Sequence, residues 1–306
     1  MKYSWASITQ SCTNFGNYQI EYTLKKILSE KKINEPVFSF DAFQEQPEEV
    51  AKKINESDFL IIPGCTTLNL HHYFGIKSII SKIEKPIYNI GATFFEKPNK
   101  GSYDYYKYFF KPIGTRDPVS TNFLKENNVP CEFIGCPTLF SGNAHKIKLN
   151  NSNKIIFIFG LNNVHQQIRL FNLLRKKYEV KIIVQEEKQL DFIKNLDANY
   201  AKYSPEILIK ELEESKLLVT GRLHGALPAI ACGVPVFFIQ TIPDIRFSLL
   251  EYLNIRINQI DDNKIEDKLL EALEVKEEHY TEIYSRVWEL KQKFWGYIDK
   301  VYQDLS

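Results

Sequence analysis

Several things are missing from this sequence, and each absence removes a class of function. Nowhere in the 306 residues is there an uninterrupted apolar run of the roughly 18–20 residues that a membrane span needs. The opening stretch MKYSWASITQSCTNFG lacks the apolar core of a signal peptide, so the expected location is the cytoplasm. Its five cysteines, Cys12, Cys65, Cys131, Cys136 and Cys232, are odd in number and form no C-x-x-C. Free thiols in a reducing compartment fit that pattern better than a disulfide frame or a zinc site. Basic and acidic residues nearly cancel, 39 against 38, which leaves no basic footprint for nucleic acid. No GxGxxG follows the first strand and no GxxxxGK precedes a Ser or Thr, so neither the dinucleotide fingerprint nor a P-loop is supported.

What is present is material for packed cores: 44% hydrophobic residues, among them 21 Phe and 17 Tyr. A chain of this length suggests two domains. Short apolar runs alternate with amphipathic stretches, the pattern of parallel sheets with crossover helices. Strands are expected at 3–8, 37–41, 59–64, 87–92, 113–116 and 132–135, then at 155–160, 179–185, 217–221 and 236–240. Helices are expected near 18–32, 46–55, 75–83 and 117–127, and again near 163–177, 187–196, 205–214, 224–232, 245–253 and 263–274. Asp117 before Pro118 suits an N-cap followed by a first-turn proline. The polar stretch 141–154, SGNAHKIKLNNSNK, reads as a linker. Beyond residue 276 the apolar residues recur near helical spacing, which predicts one long amphipathic helix. The fold class is α/β: two Rossmann-like domains with parallel sheets, over 1–145 and 152–276, facing across a cleft, and a closing helix over 277–306. Ligands of such folds bind beyond the carboxyl ends of the strands.

One stretch concentrates the chemistry. In LLVTGRLHGALPAIACGVPVFFI, residues 217–239, a buried strand ends in Gly-Arg-Leu-His-Gly and a small-residue helix follows. The start of that helix offers free N–H groups and a partial positive charge. Arg222 adds a two-pronged donor suited to carboxylate or phosphate. His224 adds a group able to hold or deliver a proton near neutral pH. The arrangement predicts a small anionic ligand and an acid-catalysed step. The plainer alternative is an Arg and a His that pair with acidic neighbours or cap the helix.

This segment resembles the signature of the polysaccharide pyruvyl transferase family, in which an R-L-H-G turn precedes a small-residue helix and a G-x-P strand start. NFGNYQIEYTLKKIL (14–28), DFLIIPGC (58–65), GTRDPVSTNFLKENNV (114–129) and GCPTLF (135–140) are similar, more weakly, to other family segments. The resemblance implies a GT-B-like fold and transfer of pyruvate from phosphoenolpyruvate onto two sugar hydroxyls as a ketal. It makes the first domain the acceptor side and the second the donor side. It also implies a saccharide acceptor of a cell-surface polysaccharide or its lipid-linked precursor, met at the inner face of the membrane, and no cofactor beyond phosphoenolpyruvate as donor substrate.

On that resemblance Arg222 and His224 are the catalytic pair. Arg116, Arg222, Leu223, His224, Gly225 and Arg246 bind the donor, with backbone N–H groups near Gly225 holding phosphate. The alternative for Arg116 is a local pair with Asp117. Asn14, Gly16, Asn17, Thr66, Thr67 and His71 are the acceptor-side candidates. The chain departs from the family in three places: only Gly64 stands where many members have several glycines, Arg246 stands near a common Lys, and Asn17 stands where Asp is frequent. No metal site is expected, since in NLHHYFG adjacent histidines diverge on regular elements and no acid stands four residues on. Asp244 is read as a base or, better, a cap. Asn162, Asn163 and His165 are possible polar contacts of the donor. Trp288 and Trp295, seven residues apart, are read as core. The rival readings are a GT-B glycosyltransferase using a nucleotide sugar, and a non-catalytic glycan- or anion-binding protein.

Overall fold

In the computed structural model, which describes residues 2–33, 35–96, 102–149, 151–160, 162–274 and 277–304, nearly every apolar run becomes a strand. The first sheet holds β1 (Tyr3–Ser7), β2 (Phe38–Asp41), β3 (Phe59–Pro63), β4 (Ile87–Ala92), β5 (Ile113–Thr115) and β6 (Cys131–Phe133). Its order is β2-β1-β3-β4-β5-β6, and every pairing is parallel. The second holds β7 (Lys154–Ile158), β8 (Glu179–Val184), β9 (Asn199–Lys202), β10 (Leu217–Thr220), β11 (Val236–Gln240) and β12 (Ile257–Gln259). Its order is β12-β11-β10-β7-β8-β9, again all parallel. The central strands β1, β3, β4 and β10 are buried along their whole length, because helices cover both faces of each sheet.

All ten expected strands are present, with ends within about two residues of the sequence reading. The two it missed, β9 and β12, are the outer strands of the second sheet. β9 is largely exposed and β12 carries a single apolar residue, so neither shows the apolar run that marks a buried strand. The expected helices form, several of them shorter; 187–196 and 245–253 each split into a 3₁₀ turn followed by a five-residue helix. Asp117 caps its helix as expected, accepting from the Ser120 N–H at 2.9 Å, with Pro118 in the first turn. Up to Asn153 the linker's described residues form no helix or strand, and Lys154 already opens β7; its Asn150 lies outside the described residues, as do the last two residues of the chain.

The closing helix, Glu277–Gln303, serves both halves. Ile283, Val287 and Leu290 pack with the core around the helix Leu223–Cys232, and Phe294, Tyr297, Ile298 and Val301 pack against Tyr3, Trp5 and Phe59 of the first sheet. Trp295 is partly buried there, with the Lys31 ammonium over its ring at 5.3 Å. Trp288 corrects the sequence reading: it is exposed, because its position falls on the helix's outer side. No helix of the described residues is long and apolar enough to cross a membrane.

Strand order reverses between β1 and β3 in the first sheet and between β7 and β10 in the second. A doubly wound sheet opens a crevice beyond the carboxyl ends of its strands at such points. Here both crevices face the same space.

Candidate active site

That space is a cavity of about 440 Å³, lined from the first half by Asn14, Asn17, Cys65, Thr66 and Arg116 and from the second by Gly160, Arg222, His224 and Arg246. A clasp at its edge joins the halves. The Phe15 N–H donates to the Gln185 carbonyl at 3.2 Å, Asn14 and Glu186 form an antiparallel bridge, and Tyr203 Oη donates to Gln19 Oε1 at 2.7 Å.

The turn after β10 is built for close approach. A Cβ on Gly221 would lie 2.8 Å from the Ile239 carbonyl oxygen, so only glycine fits between the strands. Arg222 occupies the N-cap position with an extended backbone, and the helix begins at Leu223. As its first two residues, Leu223 and His224 have amides with no intrahelical acceptor. Gly225 departs from the expected role. Its N–H already donates to the Arg222 carbonyl at 3.0 Å, and a Cβ there would meet Ile158 Cδ1 at 2.9 Å. Gly225 therefore seats the helix on the sheet, and the amides left over belong to the two residues before it. Pro228 inside the helix has no N–H for the His224 carbonyl four residues back. The Gln185 side-chain amide approaches that carbonyl at 3.5 Å instead.

Three arginines converge on the pocket, in three different states. Arg222 Nη1 pairs with Glu186 Oε1 at 3.1 Å and its Nε donates to the Phe159 carbonyl at 3.4 Å, while Nη2 is buried without an acceptor. Arg246 is held by both oxygens of Asp244, with Nε at 2.8 and 2.9 Å, and its guanidinium lies 4.8 Å over the Phe95 ring of the other half. Asp244 also accepts from the Arg246 N–H, so it acts as a cap and counter-ion. Arg116 is 1% exposed, and its Nε and Nη2 have no acceptor. Asp117 does not pair with it: its oxygens are taken by the Ser120 N–H and by the hydroxyls of Thr93, Ser120 and Ser248. Among the described residues Arg116 has no carboxylate partner. A buried guanidinium left in that state costs stability unless an anion arrives.

Arg116 Nη1 lies 3.3 Å from His224 Nε2. Since Arg can only donate, Nε2 is the acceptor and the ring's proton sits on Nδ1. Burial, and after it Arg116, Arg246 and Arg222, push the imidazole well below the usual histidine value. His224 is neutral in the empty site.

On the first half's side of the pocket Asn14 Oδ1 accepts from the Gly16 N–H at 2.9 Å. A Cβ on Gly16 would lie 2.8 Å from His224 Nδ1, so this glycine lets the first half's helix, Gly16–Glu30, abut the imidazole ring. Asn17 sits between two thiols: its Nδ2 contacts Cys12 Sγ at 3.1 Å and its Oδ1 accepts from Cys65 Sγ at 3.2 Å. Thr66 Oγ1 and Tyr73 Oη share a hydrogen bond of 2.9 Å at the pocket wall. Two candidates fall elsewhere. Thr67 is fully buried and donates to Asn89 Oδ1 at 3.2 Å, because its side chain points back into the sheet rather than to the pocket. His71 is exposed outside the pocket and pairs with Glu96 Oε1 at 3.0 Å. Of the second-half polar candidates, Asn162 lines the pocket, whereas Asn163 Nδ2 donates to the Thr241 carbonyl and caps nothing. Sequence reasoning missed Glu186 and Gln185. The signal was there: both follow β8 at the same carboxyl edge that singled out Arg222. It also missed Phe95 and Cys65, which no pattern in the sequence marks.

Comparisons with known proteins agree on the fold. The family model described as polysaccharide pyruvyl transferase matches residues 14–241, well over half of the chain. No curated protein matches the chain significantly. Among solved structures, the UDP-GlcNAc 2-epimerase from Neisseria meningitidis bound to UDP-GlcNAc superposes with a TM-score of 0.62 at 11% identity, covering 99% of this chain and 100% of that one. The Methanocaldococcus jannaschii UDP-GlcNAc 2-epimerase in complex with UDP-GlcNAc and UDP gives 0.55 at 11% identity, covering 95% and 99%. At such identity the likeness concerns the fold alone, which is GT-B-like.

Proposed function

The chain belongs to the polysaccharide pyruvyl transferase family, and from that premise we propose that it moves pyruvate from phosphoenolpyruvate to two hydroxyls of a sugar, as a ketal. The acceptor is a saccharide of a cell-surface polysaccharide or its lipid-linked precursor. The observation that carries the donor assignment is Arg116: a buried cation with two idle donors, beside a neutral histidine, in a pocket with two further arginines. Three guanidiniums face two carboxylates there, so the pocket has a charge to spare for an anion. A donor with both a carboxylate and a phosphate is favoured by that positive field and offers acceptors to the idle N–H groups of Arg116 and Arg222.

The chemistry follows from the same geometry. The enol methylene of the donor must take a proton, which leaves C2 cationic for attack by one sugar hydroxyl. Phosphate then leaves and the second hydroxyl closes the ketal; of the two hydroxyl protons released, one restores His224 and the other departs with the phosphate. His224 is the proton source. Without a ligand, burial and after it the three arginines keep it neutral; an anion bound among them offsets their field and raises its affinity for a proton. Donor binding thus loads the acid. Arg116 and Arg222 hold the oxygens where negative charge collects on the leaving phosphate.

Thermal melts and a phosphate-release assay test the reading together. Phosphoenolpyruvate should raise the melting temperature, by about 2.7 kcal/mol of stabilisation at a hundred times its dissociation constant. UDP-GlcNAc and other nucleotide sugars should not. Stabilisation by a nucleotide sugar, with none from phosphoenolpyruvate, would transfer the assignment to a glycosyltransferase.

A further inference from the structure

A second group of ligating side chains stands at the rim of the crevice, outside the donor pocket. After β3 the chain makes a 3₁₀ turn, Leu70–His72, and after β4 it runs out through Phe95 to Glu96. β3 and β4 are paired neighbours, which brings the two exits together. Asn69 ties them: its Oδ1 accepts from the Phe95 N–H at 2.5 Å and its Nδ2 reaches the Glu96 carbonyl at 3.5 Å. The tight turn also overcomes the divergence expected of adjacent histidines, since the His71 and His72 rings lie 4.0 Å apart between centroids. The acid comes from a different strand exit, so spacing within NLHHYFG could not show it. One ligand atom from each of His71, His72 and Glu96 falls within 4.8 Å of the other two, and His71 Nε2 stands 3.0 Å from Glu96 Oε1.

We propose that His71, His72 and Glu96 form a zinc-class divalent cation site, with the remaining coordination position open to water or to an oxygen of a bound saccharide. Two imidazoles and one carboxylate are a borderline donor set that suits Zn²⁺, whereas Mg²⁺ and Ca²⁺ call for oxygen ligands. Ligands about 2.0–2.1 Å from a tetrahedral Zn²⁺ sit roughly 3–3.5 Å from one another. The His71–Glu96 pair already has that spacing. His72 is exposed and free to rotate the remaining distance. The site borders the pocket wall: the His72 ring meets the Phe95 ring edge-on at 6.3 Å, and that ring carries the Arg246 guanidinium. A bound cation would fasten the turn to the Phe95 segment and stiffen the wall against which Arg246 rests.

The site stands or falls independently of the pyruvyl transfer. Tag-free protein, stripped with a chelator, is titrated with Zn²⁺ against a chromophoric competitor and, separately, with Co²⁺ in the visible spectrum. The expected result is one saturable equivalent of Zn²⁺ and the d–d absorption of four-coordinate Co²⁺. Both should be lost in the H71A/H72A/E96Q variant, whose three exposed positions leave the fold intact by circular dichroism. E96Q alone should weaken Zn²⁺ binding at least tenfold. Absence of saturable binding overturns the proposal. So does binding that survives the triple substitution, including binding abolished only when the thiols of Cys12 and Cys65 are alkylated.

Discussion

The Arg116 guanidinium and the His224 imidazole face each other at 3.3 Å although they come from different halves of the chain, 108 residues apart. The contact sets a permanent cation against an imidazole, whose usual range lies near neutrality. It makes the empty site unfavourable and the anion-filled site favourable, and the first prediction concerns that imbalance. Arg116→Met keeps the length of the side chain and removes the unpartnered charge. The unliganded variant should be at least as stable as the native chain, by about 1 kcal/mol or more, as when buried charges give way to apolar side chains of similar size. Phosphate release from phosphoenolpyruvate should fall on the order of 10²–10³-fold. Chemical denaturation and the release assay on the same sample decide it. A large drop in stability would mean that Arg116 is a structural residue.

The pH behaviour should follow from His224. Its native value lies below the usual 6.5, chiefly through burial. Between the two values the unfolded chain binds more protons than the native one, so native stability rises with pH across that window and is lost as pH falls through 6.5. The group shares its surroundings with Arg116, Arg222, Arg246, Glu186 and Asp244, and among these only the histidine has its usual value near neutrality. His224→Gln should remove this part of the acid sensitivity. Donor binding near pH 7 should draw in a proton, visible as calorimetric heats that depend on the buffer's ionisation enthalpy. That dependence should vanish in His224→Gln.

Gly16→Ala tests the approach of the first half to the ring. The new methyl would start 2.8 Å from His224 Nδ1 and 3.0 Å from Asn14 Oδ1, so the imidazole must move. Displacing a catalytic group by about an ångström can cost on the order of 100-fold in rate. The loss should fall on kcat, with donor affinity measured by thermal shift changed far less. Equal losses in both would point instead to an opened cleft.

Glu186→Gln separates the cation from its tether. Removing one member of a buried ion pair destabilises by roughly 3 kcal/mol, since the partner's charge is left uncompensated. An anion in the pocket restores part of that. The variant should therefore melt lower than the native chain without ligand and show a larger stabilisation by phosphoenolpyruvate. A ligand-induced shift no greater than the native one would show that Arg222 does not reach the donor.

How much of this was legible in the sequence depends on where the signal lies. Arg222 and His224 could be found because a buried strand announces its own end, and its carboxyl edge is where ligands bind. Arg116 could be placed on a strand end as well, but its partner could not be named. Only tertiary packing shows that the Asp117 carboxylate is consumed by Ser120, Thr93 and Ser248, which leaves the guanidinium alone. The role of Gly225 was misread because a glycine at a helix start is equally a sign of an open amide and of close packing; Ile158 decides for packing. Thr67 was misjudged by one step of the chain, since its neighbour Thr66 faces the pocket and it does not. Strands β9 and β12 were missed because outer strands need no apolar run. Glu96 escaped notice since its meeting with His71 is written in strand order, which spacing along the chain does not record.

The closing helix has a bearing on how substrates enter. Its N-terminal half is embedded in one lobe and its C-terminal half in the other. Parting the lobes to admit a ligand would therefore draw on the apolar contacts of this one helix in both cores, as well as on the contacts at the clasp.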